Sequence, residues 1–163
     1  MSHERVVQED DVDWTAYEPD VDHEFHRKQL GRAAGSEDLG VSRYSIPPGN
    51  GTWHRHYHTA NEEGLYVLEG TGTLVLGPDK EEISLAVGIF ASFPADERGV
   101  HAIEAGEDGL ELLMLSEMNE PDVAVYPDEN MVGLYVGSPP GGDSEQRTLP
   151  EYFDLGAERE YWE

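Results

Sequence analysis

Three of the seven histidines stand at alternate positions, His54, His56 and His58, in the run W-H-R-H-Y-H. In an extended chain alternate side chains share a face. The run therefore puts three imidazoles on one side and Trp53, Arg55 and Tyr57 on the other. Imidazoles about 6.5–7 Å apart along a strand can converge on one ion. Three in a line rarely can, so one is expected to stand aside. Glu62 and Glu63 follow after Thr59-Ala60-Asn61, where the chain can turn back and bring a carboxylate to the imidazoles. Glu63 shares parity with Leu65 and Val67, which should line an interior. Glu62 shares it with Gly64, Tyr66 and Leu68. Glu63 is thus the preferred ligand and Glu62 the spare. His101 supplies a third imidazole from a distant strand, just after Pro94 and Gly99. Neutral nitrogens with one carboxylate suit Fe(II), Mn(II), Ni(II), Cu(II) or Zn(II). One divalent transition metal is therefore the expected cofactor. The plainer alternative has these histidines solvated or stacked on aromatic rings.

The elements around these residues read as short strands. Val41 to Ile46 is stopped by Pro47-Pro48-Gly49-Asn50-Gly51, a strong turn cluster. Thr52 to His58 is extended, with Trp53 and Tyr57 of high strand propensity. Gly64 to Leu68, Thr73 to Leu76, Glu82 to Val87 and Ile89 to Phe93 follow, separated by Gly70, Gly77-Pro78-Asp79 and Gly88. Val100 to Ile103 precedes a turn over 105–109, and Leu110 to Leu115 is strongly apolar. Val123 to Tyr126 and Val132 to Val136 are weaker strands. Such spacing with Gly/Pro turns predicts an all-β sandwich or barrel. The first forty residues read as an irregular arm, with one or two strands that complete a sheet. After Gly137 the chain is loop-like, yet it ends with Tyr152, Phe153, Tyr161 and Trp162, which could pack on the barrel or a second subunit.

Composition narrows the function. The chain has 163 residues, so one domain is the prior. It has no cysteine, which excludes disulfides, zinc–thiolate sites, Fe–S clusters and thiol catalysis. No apolar run is long enough to span a membrane, and no signal-peptide region opens the chain, so the cytoplasm is the expected compartment. Asp and Glu number 35 against 10 Lys and Arg, for a net charge of -25. That charge repels polyanions and argues against nucleic acid and anionic membranes. The acids are dispersed and the only lysines are Lys28 and Lys80. Screening lengths fall from about 10 Å at about 0.1 M salt to about 3 Å at about 1 M. The expectation from this composition is a halophilic protein working in molar salt.

The residues then resemble the cupin superfamily, in a branch of small single-barrel members of mostly uncharacterised function. Its first motif, G-x5-H-x-H-x3,4-E-x6-G, is met by His56, His58, Glu63 and Gly70, with Gly49 and Gly51 flanking the place of the leading glycine. Its second, G-x5-P-x-G-x2-H-x3-N, is met by Gly88, Pro94 and His101. Two extra residues precede His101, Asp96 replaces the inner glycine and Ala105 the asparagine. The stretches RKQLGRAAGSEDLGVSRYSIPPG, NEEGLYVLEG, FPADERGVH and PDVAVYPDENMVG extend the likeness over roughly residues 25–136.

The resemblance implies a double-stranded β-helix, or jelly-roll, barrel over 41–136, with an N-terminal arm (1–40) contributing to its sheets and a C-terminal extension (137–163). It implies one divalent metal held by His56, His58, Glu63 and His101, with His54 at the rim or, by a change of register, in place of His58. It also implies a homodimer. The expected function is a metal-dependent enzyme acting on a small molecule, dioxygenase-like or sugar-isomerase-like. Glu62 would be its base or orienting group. The alternative is a non-catalytic module that binds or senses a small ligand. Tyr44, Tyr66, Phe90 and Met114 read as core, with cavity lining the second choice. Arg98 reads as an exposed counter-charge, or else as an anion contact at the mouth. His23 and His26 have ligand spacing only on a helix. Asp122 to Asp128 reads as a solvated acidic loop.

Overall fold

The turn signals punctuate two antiparallel sheets. The structure, a computed structural model, describes residues 3–149 and 152–162. In chain order the elements are β1 (Thr15–Tyr17), β2 (Phe25–Lys28), a short helix α1 (Leu30–Ala33), β3 (Leu39–Ile46), β4 (Tyr57–His58), β5 (Glu63–Leu76), β6 (Glu81–Ala86), β7 (Phe90–Phe93), β8 (His101–Glu117), β9 (Asp122–Tyr126), β10 (Met131–Tyr135) and β11 (Tyr152–Asp154). One sheet runs β1-β2-β3-β8-β5-β6, with β7 also paired to β5. The other runs β11-β10-β9-β4. These two sheets are the all-β sandwich or barrel that the strand spacing predicts, consistent with the jelly-roll barrel that the resemblance implies.

Period-two burial places the core. Along β5, Leu65 and Val67 are buried while Tyr66 faces solvent, and along β3 Ser42, Tyr44 and Ile46 turn inward. These join Phe25, Leu74, Leu85, Phe93, Ile103, Leu110 and Leu112 in one apolar cluster. Burying each such side chain stabilises by roughly 1.5–3 kcal/mol. Ala124, Tyr126 and Tyr135 form a smaller cluster on the second sheet.

Several expectations are corrected. Gly64–Leu68 and Thr73–Leu76 lie in one strand, β5, and the expected strands 100–103 and 110–115 are joined in another, β8, which begins at His101. β5 and β8 pair along their length with register shifts at Val67/Glu69 and Gly70/Gly72. Gly70 is the reason. It sits at φ +81°, and a Cβ there would come 2.1 Å from the Gly109 carbonyl oxygen. It permits a bulge and close strand approach, where its sequence context suggested a turn. Conversely, the extended run Thr52–His58 enters a ladder only at Tyr57–His58, against β9. Before it lie single bridges, Gly51 to Glu104 and His56 to His101. Tyr66 and Phe90 face outward, 41% and 62% exposed, and belong to neither core nor cavity.

Both termini pair into the sheets. β1 and β2 extend the larger sheet beyond β3, and β11 pairs β10. Arg43 on β3 ties the arm down, donating to Glu9 at 2.6 Å and to Glu111 of β8. Among the described residues, no helix is long and apolar enough to cross a membrane.

Candidate metal centre

His58 lies in β4, Glu63 opens β5 and His101 opens β8. His56 bridges to His101 by backbone hydrogen bonds in both directions, 3.1 and 2.9 Å. Three different segments thus meet at one end of the barrel. A ligand atom from each of His56, His58 and Glu63 lies within 4.8 Å of the others. Glu63 Oε2 is 3.6 Å from His58 Nε2 and 3.8 Å from His101 Nε2. Both separations are too long for a hydrogen bond and shorter than twice a metal–ligand bond of about 2.0–2.2 Å. The His56 ring is centred 5.1 Å from His58 and 5.0 Å from His101.

The other nitrogen of each ring is already committed. His56 Nδ1 donates to the His54 carbonyl at 2.7 Å, His101 Nδ1 to the Gly99 carbonyl at 2.9 Å, and His58 Nδ1 to Asp122 Oδ2 at 2.6 Å. These acceptors fix the tautomers by the logic of the network: Nδ1 carries the proton and Nε2 keeps its lone pair. Three ring nitrogens and one carboxylate are thus pre-set as donors, a set that fits a divalent transition metal.

Electrostatics favour the neutral ring at His56 and His101, and the charged one at His58. Burial pushes the His56 imidazole well below its usual value, and the neighbouring His101 and His58 add to the fall. Burial likewise lowers His101, with Glu63 opposing. At His58 burial pulls down, but Glu63 and the hydrogen bond to Asp122 outweigh it, so the net shift is upward. Asp122 is fully buried, which raises its carboxyl; the hydrogen bond from His58 outweighs that and holds it below the carboxylate norm. Its other oxygen accepts from the Thr59 and Ala60 amides at 3.2 and 2.9 Å.

Packing holds the rings in place. His101 stacks on Phe93 at 3.8 Å and 9°. His56 stacks on Tyr126 at 5.5 Å. The two residues inserted before His101 are taken up in a single 3-10 turn, Glu97–Gly99, capped by Asp96. Gly99 is needed there, because a Cβ would meet the Pro94 carbonyl oxygen at 2.0 Å.

His54 stands aside, half exposed and 3.2 Å from Glu129. Glu62 is exposed. Its backbone pairs with Glu117, and it is absent from the cavity lining. Arg98 is exposed and paired with Asp96 at 2.6 Å, also outside the cavity. Trp53 was expected to point away from the site but lines the cavity, since the chain before Tyr57 is not a regular strand. Its indole packs on Phe25 and Tyr17. Arg55 is buried on the far side, donating to the Gly77 carbonyl at 2.6 Å. His26, Glu18 and Glu24 form a second, more exposed group of ligand-type side chains, with no helix to space them.

The cavity in front of the centre has a volume of about 690 Å³, within the usual range for small-molecule sites. Tyr44, Met114, Tyr126, Tyr135 and Tyr152 line it together with the segment 139–144. Burial raises the Tyr44, Tyr126 and Tyr135 phenols above their usual value. Sequence reading missed Asp122 by placing it in a solvated loop. The available signal was alternation in D-V-A-V-Y, which puts Asp122, Ala124 and Tyr126 on one inward face.

Residues 42–116 match the family model of the cupin domain. No curated protein matches the chain. Among solved structures, it is similar to a provisionally named sugar phosphate isomerase of Acidithiobacillus ferrooxidans, at 24% identity and a TM-score of 0.73, covering 91% of this chain and 88% of that one. It is similar to a sugar phosphate isomerase of the cupin superfamily from Silicibacter pomeroyi, at 22% identity and a TM-score of 0.71, covering 89% and 96%. It is also similar to the polyketide cyclase RemF of Streptomyces resistomycificus, at 21% identity and a TM-score of 0.55, covering 69% and 77%. These likenesses establish the fold.

Proposed function

We propose, on the premise that residues 42–116 form a cupin domain, that this protein is a metal-dependent enzyme acting on a small molecule inside its barrel cavity. One observation carries the reading. Three buried imidazoles have their Nδ1 protons engaged elsewhere and leave Nε2 lone pairs beside Glu63, at the wall of an open cavity. His56, His58, Glu63 and His101 are the proposed ligands. A divalent ion bound there would act as a Lewis acid on a substrate oxygen.

The chain's own residues do the rest. Asp122 holds the His58 ring and its tautomer. Tyr44, Tyr126 and Tyr135 remain phenols and donate hydrogen bonds to substrate oxygens. Trp53 and the 139–144 segment line the cavity and shape the space open to substrate. Glu62, exposed outside the cavity, has no part in this assignment.

Isomerase and oxygenase chemistry are separated by assay. The two similar structures named as sugar phosphate isomerases make the isomerase class the first to be tested. Metal-free protein is reconstituted with Fe(II), Mn(II) or Zn(II), then assayed for aldose–ketose interconversion without O2 and for substrate-dependent O2 uptake. Turnover that disappears with chelator and in His101→Ala supports the reading. Ligand-induced thermal shifts without turnover under every metal would make the protein a binding module.

A further inference from the structure

We infer that the cavity takes its small molecule by an anionic group, phosphoryl or carboxylate, seated against the guanidinium of Arg27. The inference deepens the reading above, since it concerns the same cavity, but it rests on different residues.

The distribution of charge is the first observation. The chain has 35 acids and 10 bases. The cavity lining holds Glu37, Glu63 and Asp143 among the acids, yet Arg27, Arg32 and Arg147 among the bases. Bases are therefore concentrated in the cavity and acids depleted. Of those three acids, Glu63 belongs to the metal ligand group and Asp143 lies 3.8 Å from Arg32.

The second observation is what these arginines touch. Outside the cavity, Arg43, Arg55 and Arg98 each stand beside a carboxylate. Arg27 differs. It is half-buried on β2, its Nε donates to Ser42 Oγ at 3.1 Å, and its guanidinium lies 5.8 Å from the Tyr44 ring centre. Among the described residues, no carboxylate lies within 4.0 Å of it. Arg147 enters from the other sheet's side, over the Tyr135 ring at 4.7 Å, and that ring is 6.4 Å from His58. Guanidinium and metal ligands therefore flank the same aromatic wall.

The third is the strap above them. Gly141, at φ +77°, passes so close that a Cβ would sit 2.9 Å from Arg27 Nη2, and Gln29 donates to its carbonyl at 2.6 Å. The strap thus approaches Arg27 with backbone alone at a position where Arg27 lines the cavity.

Placing a cation in a covered site costs desolvation unless an anion meets it. In a chain of net charge -25 the long-range field repels anions, so the attraction must come from direct contact. A guanidinium supplies that through paired hydrogen bonds to a phosphoryl or carboxylate group.

The test is calorimetric titration in molar KCl with glycerol 1-phosphate, succinate and neutral glycerol. It uses the metal-loaded protein and the His101→Ala variant, the latter to separate anion binding from direct metal coordination. We expect one anion to bind at least tenfold more tightly than glycerol, and the better anion identifies the group. Arg27→Met should weaken that binding at least tenfold at unchanged metal content. Where Arg27→Met does not fold, Arg27→Lys keeps the charge, loses the fork and should weaken binding about threefold or more. Anions that bind no better than glycerol, or unchanged binding in a folded Arg27 variant, would overturn the inference. Arg27-dependent anion binding by a chain that takes up no metal would sustain it while removing the enzyme reading. Metal uptake with Arg27-independent binding would do the reverse.

Discussion

Replacing Asp122 by asparagine separates the positioning of the centre from its ligands. One carboxylate oxygen accepts from His58 Nδ1 at 2.6 Å, and the other serves the Thr59 and Ala60 amides. Asparagine has a single oxygen. If it stays with the two amides, its NH2 group faces the His58 Nδ1 proton, and two donors meet. His58 relieves the conflict by moving its proton to Nε2, which removes the lone pair beside Glu63. If the amide flips instead, two backbone N–H groups lose their acceptor. Either outcome costs about 1–3 kcal/mol. Losing such a partner lowers metal affinity roughly 10–100-fold, which corresponds to about 1.4–2.7 kcal/mol. The assay is competition for Zn(II) against a chromophoric chelator, with thermal melting of the metal-free variant as the folding control. The account expects Asp122→Asn to be folded and weakened within that range. Affinity within about threefold of the parent protein would refute the claim that Asp122 sets the His58 tautomer.

Other outcomes follow from the same structure. His101→Ala should lower metal occupancy without preventing folding, because the apolar cluster does not depend on the ion; elemental analysis reads this. His54→Ala should leave occupancy almost unchanged, since His54 is half exposed against Glu129; a large loss would exchange the roles of His54 and His58. Gly70→Ala should destabilise by about 2–4 kcal/mol in urea unfolding, because the position combines φ +81° with a 2.1 Å approach to Gly109. An effect below about 0.5 kcal/mol would mean that the strands move apart freely. The melting midpoint should rise between about 0.1 M and molar KCl as the charge of -25 is screened; a flat profile would remove the molar-salt reading.

How much the sequence reveals depends on how regular the backbone is. Alternation along β5 correctly turns Leu65 and Val67 inward, because that segment is a true ladder. The parity argument that carried His56 and His58 also placed Trp53 outside the cavity. There it fails, because only Tyr57 and His58 lie in a ladder and the preceding residues follow an irregular path. Gly70 and the 105–109 segment read as turns because glycine with positive φ looks the same in a turn and in a bulge. Asp122 was hidden by its acidic neighbours. In a chain this rich in carboxylates, a buried one is marked only by the strand alternation around it. The arginines of the cavity come from β2, α1 and the stretch after β10, and only the folded chain brings them to one wall.

The most direct test of the central claim is anomalous diffraction from crystals of the metal-loaded protein, recorded on either side of the metal's absorption edge. The account predicts one anomalous peak per chain, about 2.0–2.2 Å from Nε2 of His56, His58 and His101 and from a Glu63 oxygen. A peak at Glu18, Glu24 and His26 instead, or no peak from protein shown to bind metal in solution, would contradict it.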